Sequence, residues 1–281
     1  MRGQTSEPQK SIYRLRHQSR SGIKKMKQII FAIADYPNEK QDIFENHLSP
    51  RTQQYCDHHG FEYRVIKQGI KFRHNYTWHK IFEIKRMLDD KELQEGDTVC
   101  NIDADMCIMD GRESIFPKEG KSFSLAIDNG NTHCWGWISF RINDWSRNMV
   151  NQIVDEDRWN RLKNTKHGSE FREQAMWYFL AGIMPHSWHS FLQMSNYGWY
   201  SAYNENETYY ELDELYEHVQ IRGPEWNTTL LAEEQADPTS QWLQQYNIVK
   251  SKKQDTIIRH WAGGQPWNYE EYCEPPLRLE T

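Results

Sequence analysis

The sequence predicts an α/β fold built on a parallel sheet with crossover helices. The apolar runs KQIIFAIADYP (27–37) and TVCNIDAD (98–105) and the alternating FEYRVI (61–66) are typical of strands. Amphipathic patterns between them predict helices at 39–59 and 77–90. Strands that alternate with helices form parallel sheets, and ligands bind beyond the carboxyl ends of such strands.

The second half of the chain continues the mixed pattern. Strands are expected at 122–127 and 134–142, and helices from Trp145 and over 170–182. The stretch 195–225 is polar and aromatic without a steady period, which indicates a long loop or lid of the kind that carries binding residues. At 281 residues, the chain is long enough for one large domain.

Charge is unevenly distributed along the chain. Residues 1–25 carry seven Lys and Arg against one Glu, a net charge of +6. The whole chain has a net charge of −6, so residues 26–281 carry −12. We expect a disordered basic leader at 1–25 and the folded domain at 26–281. An acidic body lacks the basic face that releases phosphate counterions, so nucleic acid is not an expected partner.

Cysteine content and apolar content indicate the compartment. The five cysteines include no Cys-x-x-Cys pair, which favours reduced thiols over a disulfide framework or a zinc site. No apolar stretch is long enough to span a bilayer, and we predict a cytoplasmic protein. The glycosylation sequons at Asn75, Asn206 and Asn227 matter only if the chain is secreted.

The main chemical motif is Asp103-Ala104-Asp105, directly after an apolar strand. Two carboxylates separated by one small residue at a strand end point similarly into the ligand cleft. Their hard oxygens suit Mn²⁺ or Mg²⁺, which needs few protein ligands when a diphosphate completes its shell. A divalent cation there would neutralise the charge that builds on a diphosphate leaving group.

A second motif, HWAGGQPW (260–267), follows an apolar pair near the end of the chain. His260 is a candidate third ligand for a Mn²⁺ ion held by carboxylates. Gly263 and Gly264 would let the backbone approach a phosphate closely. A glycine-rich turn with a structural histidine explains the same residues, and the motif alone leaves both interpretations open.

The third motif is Glu173-Gln174, at the start of the 170–182 helix. A carboxylate that faces the cleft can stabilise an oxocarbenium-like sugar in a transition state. Taken alone, Glu173 is more simply a solvated helix residue.

Several segments, in order from about residue 27 to 267, carry a family resemblance. They are YCDHHGFEYRV, TWHKIFEIKRML with VCNIDADMCIMD, CWGWISFRINDWS, and REQAMWYFL with IIRHWAGGQPW. Together they resemble glycosyltransferase family 34, the galactosyl-, xylosyl- and mannosyltransferases of plant and fungal cell-wall and Golgi glycan synthesis.

The resemblance implies a single-domain GT-A fold, with a flanked Rossmann-like sheet that binds the nucleotide. It also implies a UDP-sugar donor (a GDP-sugar is the alternative), a carbohydrate acceptor and transfer with retention of anomeric configuration. Mn²⁺ would be held by Asp103, Asp105 and His260, and Glu173 and Gln174 would face the donor sugar and the acceptor. The residues implied to lie near the donor or its nucleotide are Ala32, Ile33, Ala34, Lys80, Ala104, Gly136, Gly263 and Gly264.

The chain departs from the family pattern at several points. Arg172 and Glu173 replace the two acidic residues of the family's Asp-Asp-Gln triplet, which leaves sugar selection open, and Gly264 replaces a Cys. The family's usual transmembrane anchor is missing from this sequence, so we expect a soluble relative of bacterial or viral type.

Two other functional classes remain possible from the sequence. One is a metal-dependent nucleotidyltransferase or phosphohydrolase, because paired carboxylates also serve phosphoryl chemistry. The lack of an evident glycine-rich lysine loop counts against it. The other is a non-catalytic carbohydrate-binding protein that uses the aromatic stretch 195–226.

Overall fold

A computed structural model shows the arrangement of most of the chain. The predicted leader lies outside the described residues except for Lys25, and most of 195–225 also lies outside them. The structure describes residues 25–36, 39–67, 76–127, 133–164, 172–181, 210–229, 256–261 and 276–280.

Within the described residues, a six-stranded mixed sheet forms the centre of the fold, in the order β2-β1-β3-β6-β5-β7. The pairs β1–β2, β1–β3 and β5–β7 are parallel, whereas β6 runs antiparallel to both of its neighbours. The strands are β1 (Gln28–Ile33), β2 (Glu62–Ile66), β3 (Thr98–Ile102), β5 (Phe123–Ile127), β6 (His133–Arg141) and β7 (Val219–Arg222).

A second, three-stranded sheet lies at the edge where β3 ends. It contains β4 (Met106–Ile108), β9 (Ile258–His260) and β8 (Thr228–Thr229), in the order β4-β9-β8. β4 pairs antiparallel with β9, and β8 pairs parallel with β9. This sheet therefore carries a late segment of the chain to the residues that directly follow β3.

Helices cover both faces of the large sheet. Their bounds are α1 (Glu39–Ile43), α2 (Ser49–His59), α3 (His79–Asp89), α4 (Asp144–Ile153), α5 (Glu156–Leu162), α6 (Glu173–Ala181) and α7 (Leu212–His218). A π-helical turn at Phe44–Leu48 joins α1 to α2. Pro50 lies in the first turn of α2, where its missing N–H costs no helical hydrogen bond.

Two hydrophobic cores lie on opposite faces of the sheet. On β1, Ile29 and Phe31 pack with α3, α4 and α6, whereas Ile30 and Ala32 pack with α2 and the small sheet. A strand buried on both faces needs a continuous apolar run, which is why this segment shows no alternation in the sequence.

The predicted α/β class is confirmed, with one domain, a central mostly parallel sheet and flanking helices. The loop or lid predicted at 195–225 is wrong over its described part, because 210–225 contains α7 and β7. The helix has seven residues and the strand four, so neither is long enough to show a period. Pairing of β7 with β5 determines the strand.

Among the described residues, no helix combines the length and apolar character needed to cross a bilayer.

The end of α2 gives a stability prediction. Gly60 has φ 71°, and a Cβ added there would meet no atom within 4 Å. Gly60→Ala should therefore lower the free energy of unfolding by about 1–2 kcal/mol through backbone strain alone. Gly60→Asn is the matched control, because Asn tolerates the left-handed region, and it should lose less in a urea titration. Equal losses for both variants would contradict the strain argument.

Candidate functional site

A pocket of about 420 Å³ opens at the carboxyl ends of β1 and β3, beside the start of α3. This is the edge at which open α/β sheets bind ligands. The residues that line it are Ile33, Asp35, Tyr36, Tyr76, Thr77, His79, Lys80, Asn101, Asp103, Ala104 and Asp105.

The structure brings together the three residues predicted to hold a metal ion. Asp103, Asp105 and His260 each offer one ligand atom, and these atoms lie within 4.8 Å of one another. His260 Nε2 lies 3.4 Å from Asp105 Oδ1. His260 follows Asp105 by 155 residues, and the pairing of Met106 with His260 across β4 and β9 places it there.

The donor set fits a hard divalent cation. Two carboxylates and one imidazole suit Mn²⁺ or Mg²⁺, and the remaining coordination positions stay open for ligand oxygens. Ligand atoms that share an ion at about 2.1 Å lie at most roughly 4.2 Å apart. A spread within 4.8 Å therefore needs only small side-chain movements.

Lys80 is paired with the first carboxylate. Its ammonium lies 3.0 Å from both oxygens of Asp103 and 2.7 Å from the carbonyl oxygen of Trp135. Burial alone lowers the pKa of Lys80, but attraction to Asp103 and Glu173 outweighs burial, so the net pKa is raised and Lys80 is charged. Burial raises the pKa of Asp103 to about 6, even though Lys80 opposes the rise.

Each of the two ring nitrogens of His260 has a partner. Nδ1 lies 2.8 Å from Asn227 Oδ1, while Nε2 faces Asp105. Burial alone lowers the pKa of His260, but the neighbouring Asp105 carboxylate outweighs burial and raises it well above the usual value. Without a metal ion, the Asp105–His260 contact is therefore an ion pair at neutral pH.

Gly136 lies against the ring of His260. A Cβ at this position would come within 2.7 Å of His260 Cε1 and 2.7 Å of Met106 Cε. The Gly136 carbonyl also accepts a hydrogen bond from the amide of Asp103, at 2.7 Å. The contact of Gly136 with the donor sugar, implied by the resemblance, stays a prediction. What the structure shows is that the missing Cβ of Gly136 makes room for the imidazole of His260.

Glu173 and Gln174 begin α6, as predicted, and both contact the site through other residues. Glu173 is 4% exposed, with Oε1 3.6 Å from Lys80 Nζ. The Gln174 amide accepts from the Trp135 N–H at 3.3 Å, and it donates to the Tyr178 hydroxyl and the His133 carbonyl. In this arrangement Gln174 fixes the start of β6. The catalytic assignment of both residues stays a prediction.

Of the other residues predicted to contact the nucleotide, some line the pocket and some do not. Ile33 and Ala104 line the pocket, whereas Ala32 and Ala34 are buried in the core that faces α2. Neither of those two alanines lines the pocket, and the Ala34 amide donates to the Ile66 carbonyl at 3.0 Å. Gly263 and Gly264 lie outside the described residues.

Arg172, at the position where the family has an acidic residue, lies beside the pocket wall. Its guanidinium carbon is 5.8 Å from the ring centroid of Tyr76, which is 72% exposed. Arg172 also takes the left-handed conformation, with φ 53°, directly before α6.

Asn227 and Tyr36 are among the residues of the site that were not identified from the sequence. Asn227 was noted only as a sequon, yet its side chain is 1% exposed and bonds to His260. Tyr36 lines the pocket, and burial together with Asp105 and Asp103 raises the pKa of its hydroxyl, which keeps it neutral. The sequence signal that could have identified Tyr36 is its position three residues after the end of β1, at the edge where ligands bind.

Comparison with known proteins shows which fold this is. No protein-family model matches the sequence, and no curated protein matches it. A glycosyltransferase involved in the glycosylation of the major capsid of PBCV-1 has a TM-score of 0.51 and 11% identity, over 88% of this chain and 98% of that chain. The fold is that of GT-A glycosyltransferases.

Two further solved structures are similar at lower scores. The galactosyltransferase LgtC, in complex with donor and acceptor sugar analogs, has a TM-score of 0.43 and 13% identity over 90% of this chain and 96% of that chain. Mouse xyloside xylosyltransferase 1 has a TM-score of 0.44 and 10% identity, over 86% and 99%. The GT-A fold predicted from the sequence is confirmed, and membership of family 34 stays a prediction.

Gly136 gives a prediction about metal affinity. Gly136→Ala should push the His260 ring away from the carboxylates and weaken Mn²⁺ binding by about 10-fold or more. The free Mn²⁺ signal in electron paramagnetic resonance measures this affinity. Gly120→Ala is a control for destabilisation alone, because Gly120 has φ 80° and open space around it, so the alanine strains the backbone without touching the pocket. Unchanged Mn²⁺ affinity in a folded Gly136→Ala protein would show that the close approach is unimportant.

The pKa shifts give a pH dependence for metal binding. The proton of His260 must leave before the ring can ligate an ion, and protonated Asp103 is a poor ligand. Since the pKa values of both groups are raised, Mn²⁺ affinity should rise from about pH 6 to pH 8, by up to tenfold per unit for each proton released. Titrations across this range check the slope. His260→Gln should flatten it above about pH 7, and a flat slope in the unmodified protein would contradict the shifts.

Proposed function

We propose that this chain is a metal-dependent glycosyltransferase that moves a sugar from a nucleotide-sugar onto a carbohydrate acceptor. The observation that carries the proposal is the meeting of Asp103, Asp105 and His260 at the mouth of the pocket. His260 lies 155 residues after Asp105 in the sequence, and pairing of β4 with β9 brings it to the two carboxylates at the edge where ligands bind.

The metal site defines the donor class. Asp103, Asp105 and His260 would hold Mn²⁺ or Mg²⁺, which when bound neutralises the charge of a diphosphate leaving group. We favour a UDP-sugar donor and a retaining reaction, on the sequence resemblance to family 34. The galactosyl- and xylosyltransferases among the similar structures leave a hexose and a pentose equally open.

The side chains around the carboxylates have separate tasks in this proposal. Lys80, buried and charged, orients Asp103 and keeps it ionised beside a second carboxylate. Glu173, with Oε1 3.6 Å from Lys80 Nζ, would stabilise positive charge on the sugar. Gln174 would set the position of β6, against which His260 rests.

Support for phosphoryl chemistry is weaker in this pocket. A nucleotidyltransferase or phosphohydrolase needs a basic clamp on the phosphates. Among the described residues that line the pocket, Lys80 is the single Lys or Arg, and it is held by Asp103 and the Trp135 carbonyl. On the sequence pattern, we also propose that residues 26–281 form the transferase domain, that the protein is cytoplasmic and that the acceptor is a glycan.

A thermal-shift screen with Asp105→Asn tests the function. Unmodified protein with Mn²⁺ and a panel of UDP- and GDP-sugars should melt higher with its own donor, by mass action. Asp105→Asn should abolish this shift and donor turnover, because an amide oxygen is a much weaker ligand than a carboxylate. Asp89→Asn, the same change at an exposed helix position, should retain both.

Three results would count against this function. One is an absence of any donor-dependent shift or slow donor hydrolysis across the panel. Another is release of pyrophosphate from a nucleoside triphosphate, which identifies a nucleotidyltransferase. The third is glycan binding that persists in EDTA and in Asp103→Asn, which identifies a carbohydrate-binding protein.

A further inference from the structure

Asn227 is a buried polar residue whose carbonyl oxygen faces the candidate metal ligand. Its side chain is 1% exposed, and Oδ1 lies 2.8 Å from His260 Nδ1. On the other side of the ring, Nε2 lies 3.4 Å from Asp105 Oδ1. Cys134 Sγ is 3.9 Å from the same Nδ1, but a thiol sulfur is a weak acceptor.

The chemistry of imidazole makes this contact decisive. A neutral ring carries one N–H and one lone pair, and only the nitrogen with the lone pair can bind a metal ion. The partner of one nitrogen therefore decides what the other can do. An amide oxygen only accepts hydrogen bonds, so Asn227 Oδ1 requires the proton on Nδ1 and leaves the lone pair on Nε2.

The opposite amide orientation would have the opposite effect. If Asn227 turned Nδ2 towards the ring, Nδ1 would become the acceptor and the proton would lie on Nε2, facing the carboxylates. His260 would then be unable to ligate an ion beside Asp103 and Asp105. The orientation of the buried Asn227 amide thus decides whether His260 Nε2 carries the lone pair that a metal ion needs.

The backbone that carries Asn227 is anchored on its N-terminal side. The carbonyl of Trp226 accepts a hydrogen bond from Trp137 Nε1 at 2.9 Å, which ties this turn to β6. The indole of Trp226 lies under the guanidinium of Arg222, whose carbon is 3.8 Å from a ring centroid. Arg222 is itself held by the carbonyl oxygens of Ser114 and Phe116, at 2.8 and 2.9 Å.

We propose that Asn227 is a positioning residue that fixes the Nδ1–H tautomer of His260 and so directs Nε2 towards the metal position. This inference rests on the proposed metal site. It also excludes Asn227 as a glycan acceptor in the folded protein, because a side chain with 1% exposure is out of reach of a modifying enzyme. Its role is to act on His260 and not on the substrate.

The experiment begins with the unmodified protein free of metal. Long-range ¹H–¹⁵N spectra of ¹⁵N-histidine-labelled protein are recorded as the pH is raised until the His260 ring becomes neutral, and they report which ring nitrogen then carries the proton. The His260 signals are assigned by their loss in His260→Gln. We expect the proton on Nδ1. A proton on Nε2 in the unmodified protein would overturn the inference without any variant having to fold.

Two variants then separate positioning from packing. Asn227→Asp keeps an acceptor oxygen, so it should keep the Nδ1–H tautomer and Mn²⁺ affinity within about threefold. Asn227→Leu has a similar size but no acceptor, so it should release the tautomer and weaken Mn²⁺ binding about 10–100-fold. Asn143→Ala, which removes the cap of α4 and about 1 kcal/mol of stability, controls for destabilisation alone and should change neither readout.

The outcomes distinguish this inference from the proposed function. Unmodified protein that shows the Nδ1–H tautomer but binds no Mn²⁺ would refute the metal-dependent function and leave the positioning role in place. Asn227→Leu that retains the tautomer and the Mn²⁺ affinity of the unmodified protein would refute the positioning role alone. Equal weakening by Asn227→Asp and Asn227→Leu would also refute it, because shape and not the acceptor would then be responsible.

Discussion

The described part of the site depends on how the repulsion between two neighbouring carboxylates is balanced. Asp103 meets the ammonium of Lys80 at 3.0 Å, and Asp105 meets the imidazole of His260 at 3.4 Å. The two cationic groups come from α3 and β9, which pack against β3 and β4 from different directions. The carboxylates are therefore balanced only when the large sheet, its helix and the small sheet are all assembled.

The predicted metal ligands therefore also stabilise the fold, because they form the charged contacts between these elements. A divalent cation would meet oxygens that already face Lys80 and His260, and Glu173 lies 3.6 Å from Lys80 as a second partner for its charge. Because metal ligands must lose their protons to bind, metal binding, protonation and folding are linked at this one point. Gly136 and Gln174 contribute by fixing β6, the strand against which the site is built.

Local pattern predicted the first half of the fold well. The helix over 39–59, β2 and α3 follow periods that are visible along the chain, and β1 and β3 follow continuous apolar runs. Prediction was wrong at 210–225, where α7 and β7 are too short to show a period and β7 depends on β5. Asn227 was missed for a related reason: its sequence context resembles a surface sequon, and only burial reveals that its amide bonds to a histidine.

The amino-acid sequence was enough to predict the class of fold, the carboxylate pair at the end of β3 and His260 as a candidate metal ligand. Strand patterns and ligand chemistry are local properties of the chain. The tertiary structure decided which distant groups meet them. Pairing of β4 with β9, the ion pair of Lys80 with Asp103 and the contact of Asn227 with His260 each join segments far apart in the chain. Such contacts form only when burial of both cores brings these segments together, so no local pattern contains them.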